Sequence, residues 1–273
     1  MAEAAEPGGG RSLGLSGAVN ARDLGGYRVA DGRSVRAGRA LRGDSLHRAT
    51  DGDLELLAAL GVRTVVDLRG LNEVQENGED RLPAGAGLVR RPVYSPDHDI
   101  YIELRDALAG ADPAVQHALL GNGAGERIMV EMYRWFVTDA TIRAQFAETV
   151  RQFADPAASP VYFHCTAGKD RTGWTAAVLL TALGADRDTV YADYLLTNER
   201  AAALHARILD LLGTRGMMRE PELMRPILRV ERAYLDAAFE AVADGWPSFD
   251  AFLEQGLGLD EATLEAVRKN LLH

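Results

Sequence analysis

With 273 residues, 47% of them hydrophobic, the chain can fill one large core or two small ones. The 40 acidic residues outnumber the 30 basic ones and give a net charge of −10, so the whole-molecule field repels nucleic acid and anionic membrane surfaces. An anionic substrate must therefore be met by a local site, and the single cysteine excludes an intramolecular disulfide framework while leaving one thiol to be explained.

Residues 1–16 belong to the opening stretch MAEAAEPGGGRSLGLSG, which is small, polar and glycine-rich and lacks the charged start and apolar run of a secretory leader. They read as a flexible tail before one domain over 17–273. No apolar run reaches the roughly 18 to 20 residues of a membrane-spanning helix, so no membrane insertion is expected and a cytoplasmic location is the default. Asp31-Gly32 lies between short alternating runs in residues 25–43, and the positive φ that Asp-Gly tolerates predicts a small β-hairpin. Thr50 is placed to cap a helix over Asp51–Leu60, with Asp53 in its first turn and Gly61 to end it. The β-branched run Val62–Leu68 predicts a strand, and Leu88–Tyr94 a second.

Ser95–Glu126 is interrupted by SPDHD, GADP and GNGAG, which predicts a long loop with room for one short helix. Ile128, Met132, Trp135, Phe136, Ile142, Phe146 and Val150 recur near helical spacing and predict one or two amphipathic helices over 127–153, stopped by Pro156–Pro160. Then Val161–His164 reads as a strand, CTAGKDR as a loop, and Thr172–Leu183 as a helix closed by Gly184. Residues 188–243 are helical in pattern, in several pieces broken near Gly213–Gly216 and Pro221, and short helices over about 249–255 and 260–271 finish the chain. The expected fold class is α/β, a central sheet flanked by helices with a helical C-terminal elaboration.

The segment that carries chemistry is His164-Cys165-Thr166-Ala167-Gly168-Lys169-Asp170-Arg171-Thr172. A loop that curls at a helix N-terminus turns its backbone N–H groups inward, which suits a phosphate, and Gly168 permits the curl. That positive environment, with Arg171 beside it, favours the Cys165 thiolate, while Arg171 can grip two phosphate oxygens as a lysine cannot. Thr166, Ala167 and Gly168 are expected to line the bound anion, Lys169 either adds positive charge there or points to solvent, and Thr172 can offer its hydroxyl to the departing thiolate. A lone cysteine is more often a small buried apolar residue. Here the chance occurrence of this pattern is on the order of 10⁻⁵, and the strand and helix on either side supply the required context.

HCTAGKDRTG resembles the signature loop of the protein-tyrosine phosphatases, and its Lys-Asp pair resembles the bacterial branch that includes the mycobacterial PtpB-like enzymes. Asn20–Gly26, Arg42–Leu46, Thr64–Arg69 with Glu73, Ala192–Tyr194 and Glu231–Leu235 are similar to that family too. The resemblance implies a protein-tyrosine-phosphatase-like fold and hydrolysis of phosphotyrosine proteins, with phosphoserine, phosphothreonine and phosphoinositide substrates in the same range and no metal or organic cofactor. It implies Cys165 as nucleophile, Arg171 as clamp, Asp170 as acid, a substrate-facing Lys169, and a lid made from 195–243; read from residues alone, that segment is packed scaffold. Asp97 and Asp99, beside His98, remain alternatives for the acid. His164 is expected to organise the loop. Asn20, Arg22 and Asp23 either line the pocket mouth or form an Asx turn with a surface ion pair, and Arg69 with Glu73 reads as an i, i+4 structural pair. No Cys/His/carboxylate cluster has metal-ligand spacing. The rival readings are a rhodanese-like sulfurtransferase and a phosphate-binding module without turnover; the sequence does not set an oligomeric state.

Overall fold

Short runs of β-branched and aromatic residues form the middle of one mixed sheet in the computed structural model, which describes residues 9–94, 106–107, 109–110 and 112–273. The strands are β1 (Arg11–Ser12), β2 (Arg22–Asp23), β3 (Ala40–Gly43), β4 (Thr64–Asp67), β5 (Gly87–Arg90) and β6 (Val161–His164), in the order β1-β2-β3-β6-β4-β5. From β3 to β5 all neighbours are parallel, whereas β1 and β2 are added antiparallel. β6 is central and buried along its whole length, which is why it reads as the unbroken apolar run VYFH before its histidine rather than as an alternation.

The two faces of the sheet serve two cores. Val66, Val161 and Phe163 face a large core, while their chain neighbours Val65 and Tyr162 face a smaller one with Leu41, Leu46 and Leu57, as the two-residue period of a strand requires. Gly43, His164 and Asp67 pair across the sheet, so β3, β6 and β4 end at one level and the loops after them converge.

Among the described residues the longer helices are α1 (Asp51–Ala59), α2 (Leu71–Asn77), α3 (Pro113–Leu120), α4 (Ala124–Thr138), α5 (Ala140–Arg151), α6 (Asp170–Ala182), α7 (Arg187–Arg200), α8 (Ala202–Thr214), α9 (Arg232–Gly245) and α10 (Glu261–Leu271), with a short helical stretch at Phe249–Ala251 and Phe252–Gly256 before the last. A 3₁₀ turn at Pro221–Met224 runs into a single α-turn, Arg225–Leu228. α6 follows β6 across the short loop that begins at Cys165, and every residue of it except Thr181 is buried. Among the described residues no helix is long and apolar enough to cross a membrane.

α1 begins as expected: Thr50 Oγ1 accepts the Asp53 N–H at 3.2 Å and the Asp53 carboxylate accepts the Thr50 N–H at 2.8 Å. The same carboxylate accepts the Ser16 and Gly17 N–H groups, and Arg11–Ser12 joins the sheet, so order starts earlier than the expected tail allowed. The expected hairpin is present and small: it turns at Gly32, φ +89°, with a bridge between Arg28 and Ser34 and backbone bonds that tie Val29 to Arg33 and Val35 to Tyr27 and Gly26. The strand predicted at Val161–His164 keeps its bounds, those predicted at Val62–Leu68 and Leu88–Tyr94 are shorter than their sequence patterns, and α2 was not anticipated.

Candidate active site

Cys165 opens the loop at the end of β6 and Arg171 lies in the first turn of α6, both buried. Gly168 has φ +61°, and a Cβ there would stand 2.3 Å from the Gly43 carbonyl carbon, so the curl requires glycine twice over. The loop's outer rim is held by its carbonyls. Asn20 Nδ2 donates to the Ala167 oxygen at 3.1 Å and the Gly168 oxygen at 3.0 Å, and Arg42 Nη2 adds a bond to Gly168 at 2.9 Å. The Ser45 N–H and hydroxyl approach the Thr166 oxygen at 3.2 Å. Because C=O and N–H of one peptide unit point in opposite directions, fixing these carbonyls outward turns the following N–H groups to the concave side.

Asn20 and Arg22 therefore lie behind the loop, neither at the pocket mouth nor in a surface pair. Arg22 Nε and Arg42 Nη1 share the Asp193 carboxylate at 2.9 and 2.5 Å, and all three side chains are fully buried. Burial opposes the Asp193 charge, yet the two guanidinium groups hold its pKa down at about 2. The Asp193 carboxylate between them, and Asp44 on the Asn20 N–H, offset these two cations beneath the loop. Asp23 does form the Asx turn, accepting the Gly25 N–H at 2.8 Å, and it reaches Arg11 at 3.7 Å.

Arg171 is clamped by Glu73, Nη1 to Oε2 at 2.5 Å and Nη2 to Oε1 at 2.6 Å. Glu73 also accepts the Thr166 hydroxyl at 2.6 Å and the Gly70 N–H at 2.9 Å. Burial would raise the Glu73 pKa, but Arg171 and these donors bring it down to about 2. This corrects the expected Arg69–Glu73 pair: Arg69 instead binds Asp67 at 2.9 Å and Asp80 at 2.8 Å. Glu73 is the site residue that sequence reasoning missed. Its signal was a carboxylate three residues into a helix start, the position from which a side chain can reach back to the N-cap.

His164 Nδ1 donates to the Cys165 carbonyl at 2.9 Å, and its Nε2 lies 3.1 Å from Asp80. Burial lowers its pKa, but the Asp80 and Asp67 carboxylates outweigh that and raise it. Asp67, Asp80 and His164 do converge within 4.8 Å, a grouping the spacing did not reveal. The Arg69 guanidinium already lies among their oxygens as the counter-cation, which does not suit a metal ion as well.

Lys169 is placed differently from expectation. It is 5% exposed, and its ammonium donates to the Ile227 carbonyl and, at 3.1 Å, to that of Arg229, groups left open at the end of the Arg225–Leu228 turn. Asp170 Oδ2 lies 3.4 Å from the same ammonium. Asp170 Oδ1 accepts the Tyr133 hydroxyl at 3.1 Å. Ala167 is exposed and Thr166 half-buried, while the buried Thr172 Oγ1 has no hydrogen-bond partner among the described residues. Asp97, His98 and Asp99 fall outside the described residues.

Cys165 and Arg171 thus stand at the two ends of one loop, at the C-terminal edge of parallel strands, where α/β proteins commonly place a ligand. The chain belongs to the tyrosine phosphatase family, whose sequence profile matches residues 13–273. It is 36% identical over 245 residues to a protein of Cupriavidus necator named for tyrosine-protein phosphatase activity, covering 90% of this chain and 84% of the relative. To the triple specificity protein phosphatase PtpB of Mycobacterium tuberculosis it is 32% identical over 282 residues, covering 94% of this chain and 98% of that protein. It is thus a phosphatase with an α/β fold, and its substrates are phosphorylated.

Proposed function

We propose that the protein hydrolyses phosphomonoesters without a metal, through a cysteinyl-phosphate intermediate, on phosphotyrosine proteins and also on phosphoserine, phosphothreonine and phosphoinositide substrates. The observation that carries this reading is the loop itself: Cys165 at its start, its carbonyls tied outward, and Arg171 fixed at its end by Glu73. The Cys165 thiolate attacks phosphorus in line while Arg171 and the loop N–H groups take the charge on the equatorial oxygens. Asp170 protonates the departing oxygen and then deprotonates the water that releases phosphate. The triple specificity in PtpB's name is a property of that relative, and here it supports the broader substrate range.

Hydrolysis of an aryl phosphate in the presence of EDTA, lost in Cys165→Ser, tests the thiolate route; retained turnover in that variant rejects it. Asp170→Asn should spare an activated aryl phosphate and slow an alkyl phosphate about 100-fold or more, since only the alkoxide needs the proton. Equal losses would move the acid elsewhere.

A further inference from the structure

Asp170 does not stand alone at the head of α6. The Tyr133 hydroxyl on α4 donates to its Oδ1 at 3.1 Å, and the Tyr194 hydroxyl on α7 lies 2.7 Å from that of Tyr133. Because Tyr133 spends its only proton on the carboxylate, Tyr194 must be the donor to Tyr133, so the chain runs one way. The rings meet edge to face with centroids 6.1 Å apart, and Tyr234 on α9 closes the third side at 6.1 Å from Tyr133. Tyr133 and Tyr194 are fully buried. Burial first, and the nearby Asp170 second, hold both phenols well above their ordinary range, so each remains a donor wherever the fold survives.

We infer that Tyr133, oriented by Tyr194, is a positioning residue for the acid–base carboxylate: it fixes Oδ1 and leaves Oδ2 to carry the proton. This rests on the reading of Asp170 as the acid. In the first step the S–P bond forms as the bond from phosphorus to the leaving oxygen breaks, and the proton on Oδ2 passes to that oxygen. Tyr133 then donates to the carboxylate just created. In the second step a water oxygen bonds to phosphorus, its proton passes to Oδ2, and the S–P bond breaks to return the thiolate. The phenolic proton stays on Tyr133 throughout.

The charged and titratable groups facing Asp170 are Lys169, 3.4 Å from Oδ2, and Arg171 on its own element, with Tyr133, Tyr194 and Tyr234 on the helices packed against it. None of the tyrosines offers it a negative charge, so removing Tyr133's hydroxyl subtracts a donor that favours the ionised form and changes no formal charge.

The test is Tyr133→Phe, read as the leaving-group dependence of kcat and as a pH profile, with thermal midpoints to confirm folding. The alkyl-phosphate rate should fall about 10- to 100-fold and the activated aryl-phosphate rate less than about threefold, while the basic limb of the alkyl profile moves to higher pH. Tyr194→Phe should show the same selectivity at smaller amplitude, and it serves if the first variant does not fold. Tyr234→Phe, whose hydroxyl binds the Pro226 carbonyl at 3.2 Å instead, should show none. Equal losses on both substrates, or an unmoved basic limb, overturn the inference. If Asp170→Asn is itself selective while both tyrosine variants are not, the positioning role fails alone; if Asp170→Asn is unselective, the acid assignment fails first.

Discussion

The two flanks of the loop from Cys165 to Arg171 are held in different ways. Around His164 and Arg171 every carboxylate meets a cation: Glu73 grips Arg171, while Asp67 and Asp80 grip Arg69 and flank His164. Lys169 and Asp170 pair more loosely, 3.4 Å apart, and neutral groups share both, two backbone carbonyls for the ammonium and a phenol for the carboxylate. The difference is chemical economy. A charged group locked to its counter-ion cannot exchange a proton in the working pH range, which suits the side that must hold a guanidinium in one plane. The looser pair, with a hydroxyl on the other oxygen of Asp170, suits the side proposed to supply the acid.

The comparison breaks most severely at Glu73. Glu73→Ala leaves a buried arginine without its partner and should cost about 3–5 kcal/mol of stability, with a fall in kcat/KM on the order of 100-fold as the clamp loosens. Urea unfolding and steady-state kinetics read the two effects. The sign follows from its pKa, about 2 in the fold against 4.5 ordinarily: the stabilisation is complete above about 4.5 and is lost as pH falls toward 2. The variant should therefore lack that acid slope.

A smaller effect is expected at Asp44, which has burial without a counter-ion of its own. Its carboxylate accepts the Asn20 N–H at 2.8 Å, yet burial raises its pKa to about 6. A carboxylic acid shifted in this direction contributes stability that is complete below about 4 and is lost as pH rises through 6. Asp44→Asn should flatten this decline, worth at most about 3 kcal/mol for a shift of this size, and unfolding at about pH 4 and pH 8 measures it. An unchanged slope would show that Arg22, not burial, sets the charge there.

The smallest change is expected at Lys169. Lys169→Met should cost about 1–2 kcal/mol and release the Arg225–Leu228 turn, detected as faster proteolysis near residues 216–231. A raised KM with the turn still protected would return this lysine to the substrate-facing role.

The strand–loop–helix unit around Cys165 was legible because its cues are local: four buried residues, a glycine at a positive φ, and a helix that starts beside them. The Thr50 cap was legible for the same reason. The partners that give the loop its shape were not. Arg22 meets Asp193 across 171 positions, and no periodicity announces a contact of that range. The Arg69–Glu73 reading failed for a definite reason: the i, i+4 rule holds within a helix, and Arg69 precedes the N-cap Gly70 of α2. Lys169 could be placed beside a phosphate by spacing, but only the packing of the distant 225–229 segment shows where its ammonium goes.

Because α6 is buried on nearly every side and β6 is a central strand, the loop between them is tied at both ends to deeply buried elements, where amide exchange is expected to be slowest. Its opening is then coupled to global unfolding rather than to local fraying. Catalytic competence and the folded state should disappear together on heating, with no intermediate that keeps its core and has lost its site.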